Sequence, residues 1–345
     1  MRSTITIVII SLTLFFLIDF FVGKKVINLL YSFKSINSPD EIKKKRLEII
    51  NKEKKYRIKN PFFHHTLEAN IKTKSHWGNI KYYTCTNKEG FRINCDKKIK
   101  KEDSHQIIFI GDSFTEGLGL DYHKTFVGLY DDFSNYNILN MGVTSYSPII
   151  YYNKIKHFLN NGLKIDHVIV FLDISDIDDE ANYYERCKDS FKICDKKIDN
   201  NKQKKIENNK NLIEEYFPLL NFISTKTKEM KRKIKPKNYI YREDFQRSAW
   251  TYKKNNENYQ LGIDNSLKYM TLLSNILKQK NIKLSLAVYP HPATLIYDDK
   301  NSKHVKIWRK FCNNRCENFV NLFPDFFNEI KNNNVMKIIK KYYIK

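Results

Sequence analysis

Acidic residues are scarce in this chain relative to basic ones. Its 345 residues contain 61 Lys and Arg against 38 Asp and Glu, which gives a formal net charge of +23. The lysines are scattered along the sequence, whereas a nucleic-acid-binding surface concentrates them in one patch or stripe. A nucleic-acid partner is therefore not indicated, and the charge favours anionic glycans or lipid head groups as partners.

The cysteines and histidines lack the grouping that a metal site needs. A structural zinc requires four clustered ligands, and Cys312 and Cys316 have suitable spacing but no second pair of ligands nearby. The adjacent His64 and His65 have no carboxylate helper, which is more typical of surface or packed histidines than of a metal site. We expect no metal and no cofactor.

The six cysteines instead fall into three close pairs. An even number of paired cysteines indicates disulfides and an oxidising compartment, with free buried thiols as the alternative for any single residue. The predicted bridges are Cys85–Cys95, Cys187–Cys194 and Cys312–Cys316.

No small-residue cleavage site follows the apolar run at residues 5–22, which is just long enough to span a bilayer. We therefore predict an uncleaved membrane anchor, in which Asp19 lies near one end and reaches the interface. Lys24 and Lys25 would keep the bulk of the chain inside by the positive-inside rule, but long domains translocate largely regardless of charge. The paired cysteines favour the periplasmic or extracytoplasmic side.

Composition divides the rest of the chain. A charged spacer at residues 25–60 follows the anchor at 1–24, and a lead-in region at 61–104 precedes an α/β domain at 105–345. Residues 177–261 are polar and rich in Lys and Asn, and they are too many for an ordinary connection. We interpret them as an insertion that could cover the active site; a partly disordered surface loop is the alternative.

Strand and helix patterns alternate through the α/β domain. Strands are predicted at residues 107–110, 137–140, 167–172, 283–288 and 318–323, and helices at 123–133, 148–159, 263–280 and 302–312. This alternation predicts a three-layer, doubly wound parallel sheet.

The first of these strands runs directly into Gly111-Asp112-Ser113-Phe114-Thr115-Glu116-Gly117. Ser113 and Glu116 have the spacing of a helix capping box, which is one interpretation of the pair. The whole string resembles the first motif of the SGNH (GDSL-type) hydrolases, in which the Ser is the nucleophile. The resemblance covers about residues 105–325 and implies a flavodoxin-like fold with Ser113 at the C-terminal edge of the sheet.

Two further motifs of that family are matched less well. Asn140-Met141-Gly142 follows the second strand, so the resemblance makes the Gly142 N–H an oxyanion donor beside the N–H of Ser113. After the third strand the family has Gly-x-Asn-Asp, whereas this chain has Asp173-Ile174-Ser175-Asp176. Ser175 replaces the Asn and is a possible oxyanion donor. The alternative for Gly142 is a plain turn glycine, and the alternative for Asp173 and Asp176 is a solvated loop.

The catalytic base is the largest departure from the family, which has an Asp-x-x-His near its C-terminus. None of the nine histidines follows an Asp by three residues. His291, between Pro290 and Pro292 after a late strand, is a candidate base, with a structural loop histidine as the alternative. We expect that sequence downstream of Lys345 encodes Asp-x-x-His and that these 345 residues are nearly inert as an esterase.

The resemblance implies a membrane-anchored serine esterase or O-acyltransferase acting on acyl or acetyl esters of an envelope glycan or lipid. The competing interpretation is a non-catalytic module of the same fold that binds glycan or scaffolds an envelope assembly.

Overall fold

The structure is a computed structural model that describes most of the chain. The described residues are 2–33, 44, 47–49, 51, 53–77, 80–96, 105–186, 193–195, 215–234, 247–253 and 257–343. By their contacts the residues form two compact units. The first unit contains residues 1–51 and 197–240, and the second contains residues 52–196 and 241–345.

The helices and strands have the following bounds. The helices are α1 Arg2–Phe33, α2 Ser113–Glu116, α3 Phe126–Phe133, α4 Pro148–Asn160, α5 Asp176–Asn182, α6 Pro218–Ile234, α7 Glu257–Gln279, α8 Pro292–Tyr297, α9 Lys303–Cys312, α10 Phe323–Asn332 and α11 Val335–Tyr342. The strands are β1 Arg57–Asn60, β2 His64–Leu67, β3 Lys72–Trp77, β4 Ile80–Thr86, β5 Arg92–Ile93, β6 Gln106–Ile110, β7 Asn137–Asn140, β8 His167–Leu172, β9 Tyr184–Arg186, β10 Ile193–Asp195, β11 Lys283–Val288 and β12 Asn318–Asn321.

The first unit is built on α1, which is longer than the apolar run that predicted it. Its candidate membrane span covers Thr4–Leu30 and contains an 18-residue window with a mean hydropathy of 2.7. By length and composition this helix could cross a membrane, and a signal sequence has the same properties. The Asp19 side chain is fully buried against the start of α6, and its position at the membrane interface stays a prediction.

The second unit is built on an eight-stranded sheet in the order β12-β11-β8-β6-β7-β5-β4-β3. The five strands from β12 to β7 are parallel, in the order expected of a doubly wound fold. The α/β class is confirmed, but the prediction of a purely parallel sheet is wrong. Strands β5, β4 and β3 continue the sheet in antiparallel fashion beyond β7, because the lead-in region adds its own strands to that edge.

Both faces of the parallel strands are covered. In β6, Ile108 and Ile110 belong to the larger core cluster together with residues of α4, α7 and α9. Ile107 and Phe109, which alternate with them, belong to a second cluster with Val127 of α3. A strand that is apolar at every position is therefore buried on both faces, as parallel strands require.

Two of the three predicted disulfides are present. Cys85–Cys95 joins the end of β4 to the residues after β5, and Cys312–Cys316 closes the end of α9. The predicted Cys187–Cys194 bridge remains a prediction, because Cys187 lies outside the described residues. The two bridges fit an oxidising compartment.

The segment interpreted as an insertion is divided between the two units. Residues 176–186 and 193–195 form α5 and the β9–β10 hairpin of the second unit. Residues 215–234, which contain α6, belong to the first unit. Its remaining stretches at 187–192, 196–214, 235–246 and 254–256 lie outside the described residues.

Candidate active site

Ser113 begins a one-turn helix at the carboxyl end of β6, which lies between β8 and β7 in the parallel part of the sheet. The helix is capped by Asp112, whose Oδ1 accepts the N–H of Phe114 at 3.0 Å. The capping-box interpretation of Ser113 is therefore wrong, since the N-cap position is occupied by its neighbour. The Ser113 hydroxyl is left to donate to Asp112 Oδ2 at 3.1 Å.

Two arginines that precede the α/β domain hold this short helix, Arg57 at the start of β1 and Arg92 in β5. Arg57 binds the buried Glu116 carboxylate through two nitrogens, at 2.9 and 2.6 Å. Arg92 donates to the carbonyls of Glu116, Gly117 and Leu120, where the chain leaves the helix. Burial would raise the pKa of Glu116, but Arg57 outweighs it and lowers this pKa. Arg57 and Arg92 therefore hold the C-terminal end of the short helix that begins at Ser113.

Gly142 lies in the loop after β7, packed against α2. A Cβ there would lie 2.7 Å from Cβ of Thr115 and 2.8 Å from the nitrogen of Glu116, so only glycine fits. The Gly142 N–H donates to Oδ1 of Asn140 at 3.0 Å. In this conformation the predicted oxyanion donor is thus engaged within the protein.

A buried lysine supports the same loop. Lys154 of α4 donates to the carbonyl of Met141 at 3.0 Å and to the Tyr146 hydroxyl at 3.1 Å. Its ammonium also lies over the rings of Phe63, Phe91 and Tyr146. Burial lowers the pKa of Lys154 to about 7.

Ser175 follows β8 and faces a buried carboxylate. Its hydroxyl and its N–H both donate to Asp173 Oδ1, at 2.5 and 2.7 Å. Asp176 accepts the N–H of Asp173 and the hydroxyl of Tyr151. Asp173 and Asp176 are both fully buried, which excludes the alternative of a solvated acidic loop.

His291 lies after β11, beside the same carboxylate. Its Nε2 is 3.2 Å from Asp173 Oδ1, and only 6% of the residue is exposed. The hydroxyl of Tyr289 donates to Asp173 Oδ2 at 2.7 Å and lies 3.3 Å from Asp112 Oδ1. A continuous chain of polar contacts thus runs from the Ser113 hydroxyl through Asp112, Tyr289 and Asp173 to His291.

The two carboxylates in this chain differ in charge state. Burial and the neighbouring Asp173 raise the pKa of Asp112 to about 7. Burial would also raise the pKa of Asp173, but His291 and the hydrogen bonds from Ser175 and Tyr289 hold it well below its usual range. Burial raises the pKa of Tyr289 well above its usual value, so its phenol keeps its proton. Asp173 is therefore the fixed negative charge, and Asp112 titrates near neutrality.

The structure brings the four predicted site residues to one edge of the sheet, each in a different loop. Ser113 follows β6, Gly142 follows β7, Ser175 follows β8 and His291 follows β11. The side chains of Ser113, Ser175 and His291 are linked through residues that sequence reasoning assigned no role in the site, namely Asp112, Tyr289 and Asp173. Asp112 belongs to the motif that identified Ser113, so the sequence could have indicated it as a site residue. The only sequence feature that points to Tyr289 is its position directly before Pro-His-Pro.

Histidines 64 and 65 form a packed pair. Their Nδ1 atoms lie 2.7 Å apart, and Nε2 of His65 is 2.8 Å from the carbonyl of Thr144. Burial lowers the pKa of His65 to about 4, so it is neutral at physiological pH. Within the described ranges, no cluster of three or more His, Cys, Asp or Glu side chains is arranged to hold a metal ion.

Comparison with known proteins gives limited similarity. No protein-family model matches the chain, and no curated protein sequence matches it significantly. A solved structure that matches is AlinE4, described as an SGNH-hydrolase family esterase, with 14% identity and a TM-score of 0.37 over 71% of this chain and 88% of that one. Two mutants of the same esterase match with 13% and 12% identity and TM-scores of 0.36, over 71% and 68% of this chain and 88% and 84% of theirs. Similarity at this level assigns no activity to this chain.

Proposed function

We propose that this protein is a membrane-anchored serine esterase or O-acyltransferase of the SGNH type, acting on acyl or acetyl esters of an envelope glycan or lipid. The observation that carries the proposal is the position of Ser113. Its hydroxyl lies at the carboxyl end of β6, a strand with a parallel neighbour on each side, and donates to the buried Asp112 carboxylate, whose pKa is raised to about 7. Ligands of doubly wound sheets bind at this edge.

The proposed reaction is a two-step acyl transfer. Ser113 Oγ gives its proton to Asp112 and attacks the carbonyl carbon of the ester; the bond to the leaving alcohol breaks, the proton passes to that alcohol, and an acyl-serine forms. Water or a second sugar hydroxyl then attacks the acyl-serine, which gives hydrolysis or transfer. The N–H groups of Ser113 and Gly142, with the hydroxyl of Ser175, are the proposed donors to the oxyanion.

The substrate class follows from the charge and the proposed location of the protein. A net charge of +23 spread over the chain favours acylated partners that carry negative charge, such as anionic glycans or lipids. The test is a screen of acetylated and acylated sugars with the purified full chain in detergent, in which released or transferred acyl groups are detected by mass spectrometry. Absence of turnover on every ester would count against the enzyme.

A non-catalytic binding module is the second candidate, and one observation favours it. Two of the three proposed oxyanion donors already donate within the protein, since Gly142 N–H binds Asn140 and the Ser175 hydroxyl binds Asp173. A catalytic site has to release these donors when the ester binds, whereas a binding module does not. Saturable binding of an acylated glycan without labelling of Ser113 would support the module.

The reactivity of Ser113 should depend on pH near neutrality. Because the pKa of Asp112 is raised to about 7, the carboxyl that accepts the Ser113 proton is mostly protonated below that pH and ionised above it. We expect the rate of fluorophosphonate labelling to rise between about pH 6 and pH 8. The rate is measured by gel fluorescence over that range. A labelling rate that does not change with pH would show that the charge state of Asp112 has no effect on the reactivity of Ser113.

The proposed location has its own test. The full chain is expected to sediment with membranes and to resist extraction by alkaline carbonate, because α1 carries a 27-residue apolar span. A version beginning near Ser35 is expected to remain in the soluble fraction. Protein that keeps Met1 and is nevertheless soluble would contradict the anchor.

A further inference from the structure

The first unit contains a buried carboxylate in the middle of an apolar helix. Asp19 lies in α1 and is 0% exposed. Its Oδ1 accepts the N–H of Leu219 at 2.7 Å, and its Oδ2 accepts the N–H of Leu220 at 2.9 Å. The only charge within the apolar run at residues 5–22 therefore serves as the cap for the first turn of α6.

Aromatic packing fixes the same junction. The Phe16 and Phe217 rings meet edge-to-face at 5.7 Å, and the Phe20 and Tyr216 rings stack at 5.7 Å. Gly23 permits the approach of the second segment, because a Cβ there would lie 3.0 Å from Cγ of Pro218. The start of α6 is thus docked on α1 through a capped carboxylate and two aromatic contacts.

The sequence of α6 changes character along its length. Its first half, Pro-Leu-Leu-Asn-Phe-Ile, is mostly apolar, and Ile223 is 49% exposed. Its second half carries Lys226, Lys228, Lys231, Arg232 and Lys233 against the single acidic Glu229. A helix with an apolar segment and an excess of basic residues is typical of elements that lie in a membrane interface.

We propose that α6 is a membrane-interface helix that binds the head groups of anionic lipids and thereby fixes the segment around it at the bilayer. Asp19 lies three residues before the end of the apolar run, about 4.5 Å along the helix axis. The capped start of α6 is then at the boundary between acyl chains and head groups, the depth at which such helices lie. The basic residues of its second half would then face an anionic surface, which attracts each of them.

This inference rests on the proposed role of α1 as a retained anchor. A cleaved signal sequence would remove Asp19 and leave the apolar start of α6 without its partner. The docking of α6 on α1 therefore supports retention of α1 in the mature protein.

The experiment places single nitroxide labels on the full chain, reconstituted in vesicles of equimolar phosphatidylcholine and phosphatidylglycerol. Ile223→Cys reports on α6, Leu14→Cys on α1, and Lys300→Cys on an exposed loop of the second unit. Accessibility to oxygen and to a water-soluble nickel complex gives the depth of each label. We expect position 223 to be shallower than position 14 but shielded from the water that surrounds position 300. Position 223 in water with position 14 in the acyl phase would overturn this inference alone; both in water would overturn the anchor as well.

Two sets of variants test the cap and the charge. Asp19→Asn keeps a capping oxygen and should hold the label at 223 in place, whereas Asp19→Leu should release it toward water. Replacing Lys226, Lys228 and Lys231 with Gln, or omitting phosphatidylglycerol, should also shift position 223 toward water. An unchanged depth in Asp19→Leu would overturn the cap, and an unchanged depth in both charge experiments would overturn the binding of anionic lipid.

Discussion

Replacing Ser113 with alanine is expected to abolish covalent labelling of the protein by a fluorophosphonate probe. The substitution removes the hydroxyl that attacks the phosphorus of the probe and displaces fluoride, and loss of a catalytic nucleophile lowers acyl chemistry on the order of 10⁴ to 10⁶-fold. The fold should survive, because the helix cap is Asp112 and the Ser113 side chain makes one hydrogen bond in this structure. The loss of one such bond changes the free energy of unfolding by about 1 kcal/mol.

The measurement compares labelling with circular dichroism on the same samples. Ser134→Ala is the matched control, since it removes a hydroxyl from the C-terminal end of α3, outside the proposed site. Labelling that persists in Ser113→Ala would contradict the assignment of the nucleophile. Absence of labelling in both the wild type and Ser134→Ala would favour the non-catalytic module.

Local sequence was sufficient to locate Ser113 and the strands around it. The apolar run at residues 107–110 has no polar position, so it had to be a doubly buried strand, and the turn after it had to lie at the sheet edge. The same reasoning placed β7, β8 and β11 within one residue of their observed bounds. The positions of these strands can be predicted because the burial of each strand follows from its own apolar residues.

The mixed character of the sheet could not be predicted in this way. Strand β5 is two residues long and meets β7 through the single pair Arg92–Asn140. A two-residue strand has no periodicity to detect. The buried Arg92 is present there because it binds carbonyls at the end of α2, about 25 residues away in the sequence.

The partners within the site are also set by long-range packing. Tyr289 contacts Asp112 and Asp173 across sequence separations of 177 and 116 residues. Sequence alone shows a tyrosine at the end of a strand, which is equally typical of a hydrophobic core. The burial of Asp173 could not be predicted from its neighbours in sequence alone, because its carboxylate accepts hydrogen bonds from Ser175 and from the distant Tyr289, and lies 3.2 Å from Nε2 of His291.

The buried carboxylates make this edge of the sheet costly to fold. Burial raises the pKa of Asp112 to about 7 and that of Asp179 to about 8, above an unfolded value near 3.9. A raised folded pKa means that these groups favour the folded state most below about pH 4, and that this advantage is lost as the pH rises through 7 and 8. Asp173 behaves in the opposite sense, because His291 keeps it ionised.

His291→Ala is expected to lower the free energy of unfolding by about 3 kcal/mol at neutral pH, because it leaves the Asp173 carboxylate buried without the imidazole that contacts it at 3.2 Å. The folded pKa of Asp173 lies below the unfolded value near 3.9, so this contribution is complete above about pH 4 and is lost as the pH falls through the folded pKa. The difference between wild type and variant should therefore shrink in acid. Chemical unfolding in detergent at several pH values checks this, and an equal difference in acid would contradict the pairing.

The reactivity of Ser113 in the His291→Gln variant shows whether His291 positions Asp173 or acts as the catalytic base. Glutamine can still donate a hydrogen bond to Asp173 but cannot take up a proton, and removal of a catalytic base lowers acyl chemistry on the order of 10⁴-fold or more. We expect a fall in labelling rate of about tenfold or less, the size of one hydrogen bond, because Nε2 of His291 contacts Asp173 while the Ser113 hydroxyl donates to Asp112. Tyr289→Phe is the matched control, since it interrupts the same chain of contacts and leaves the His291–Asp173 pair in place. Folded His291→Gln protein that is as unreactive as Ser113→Ala would make His291 the catalytic base.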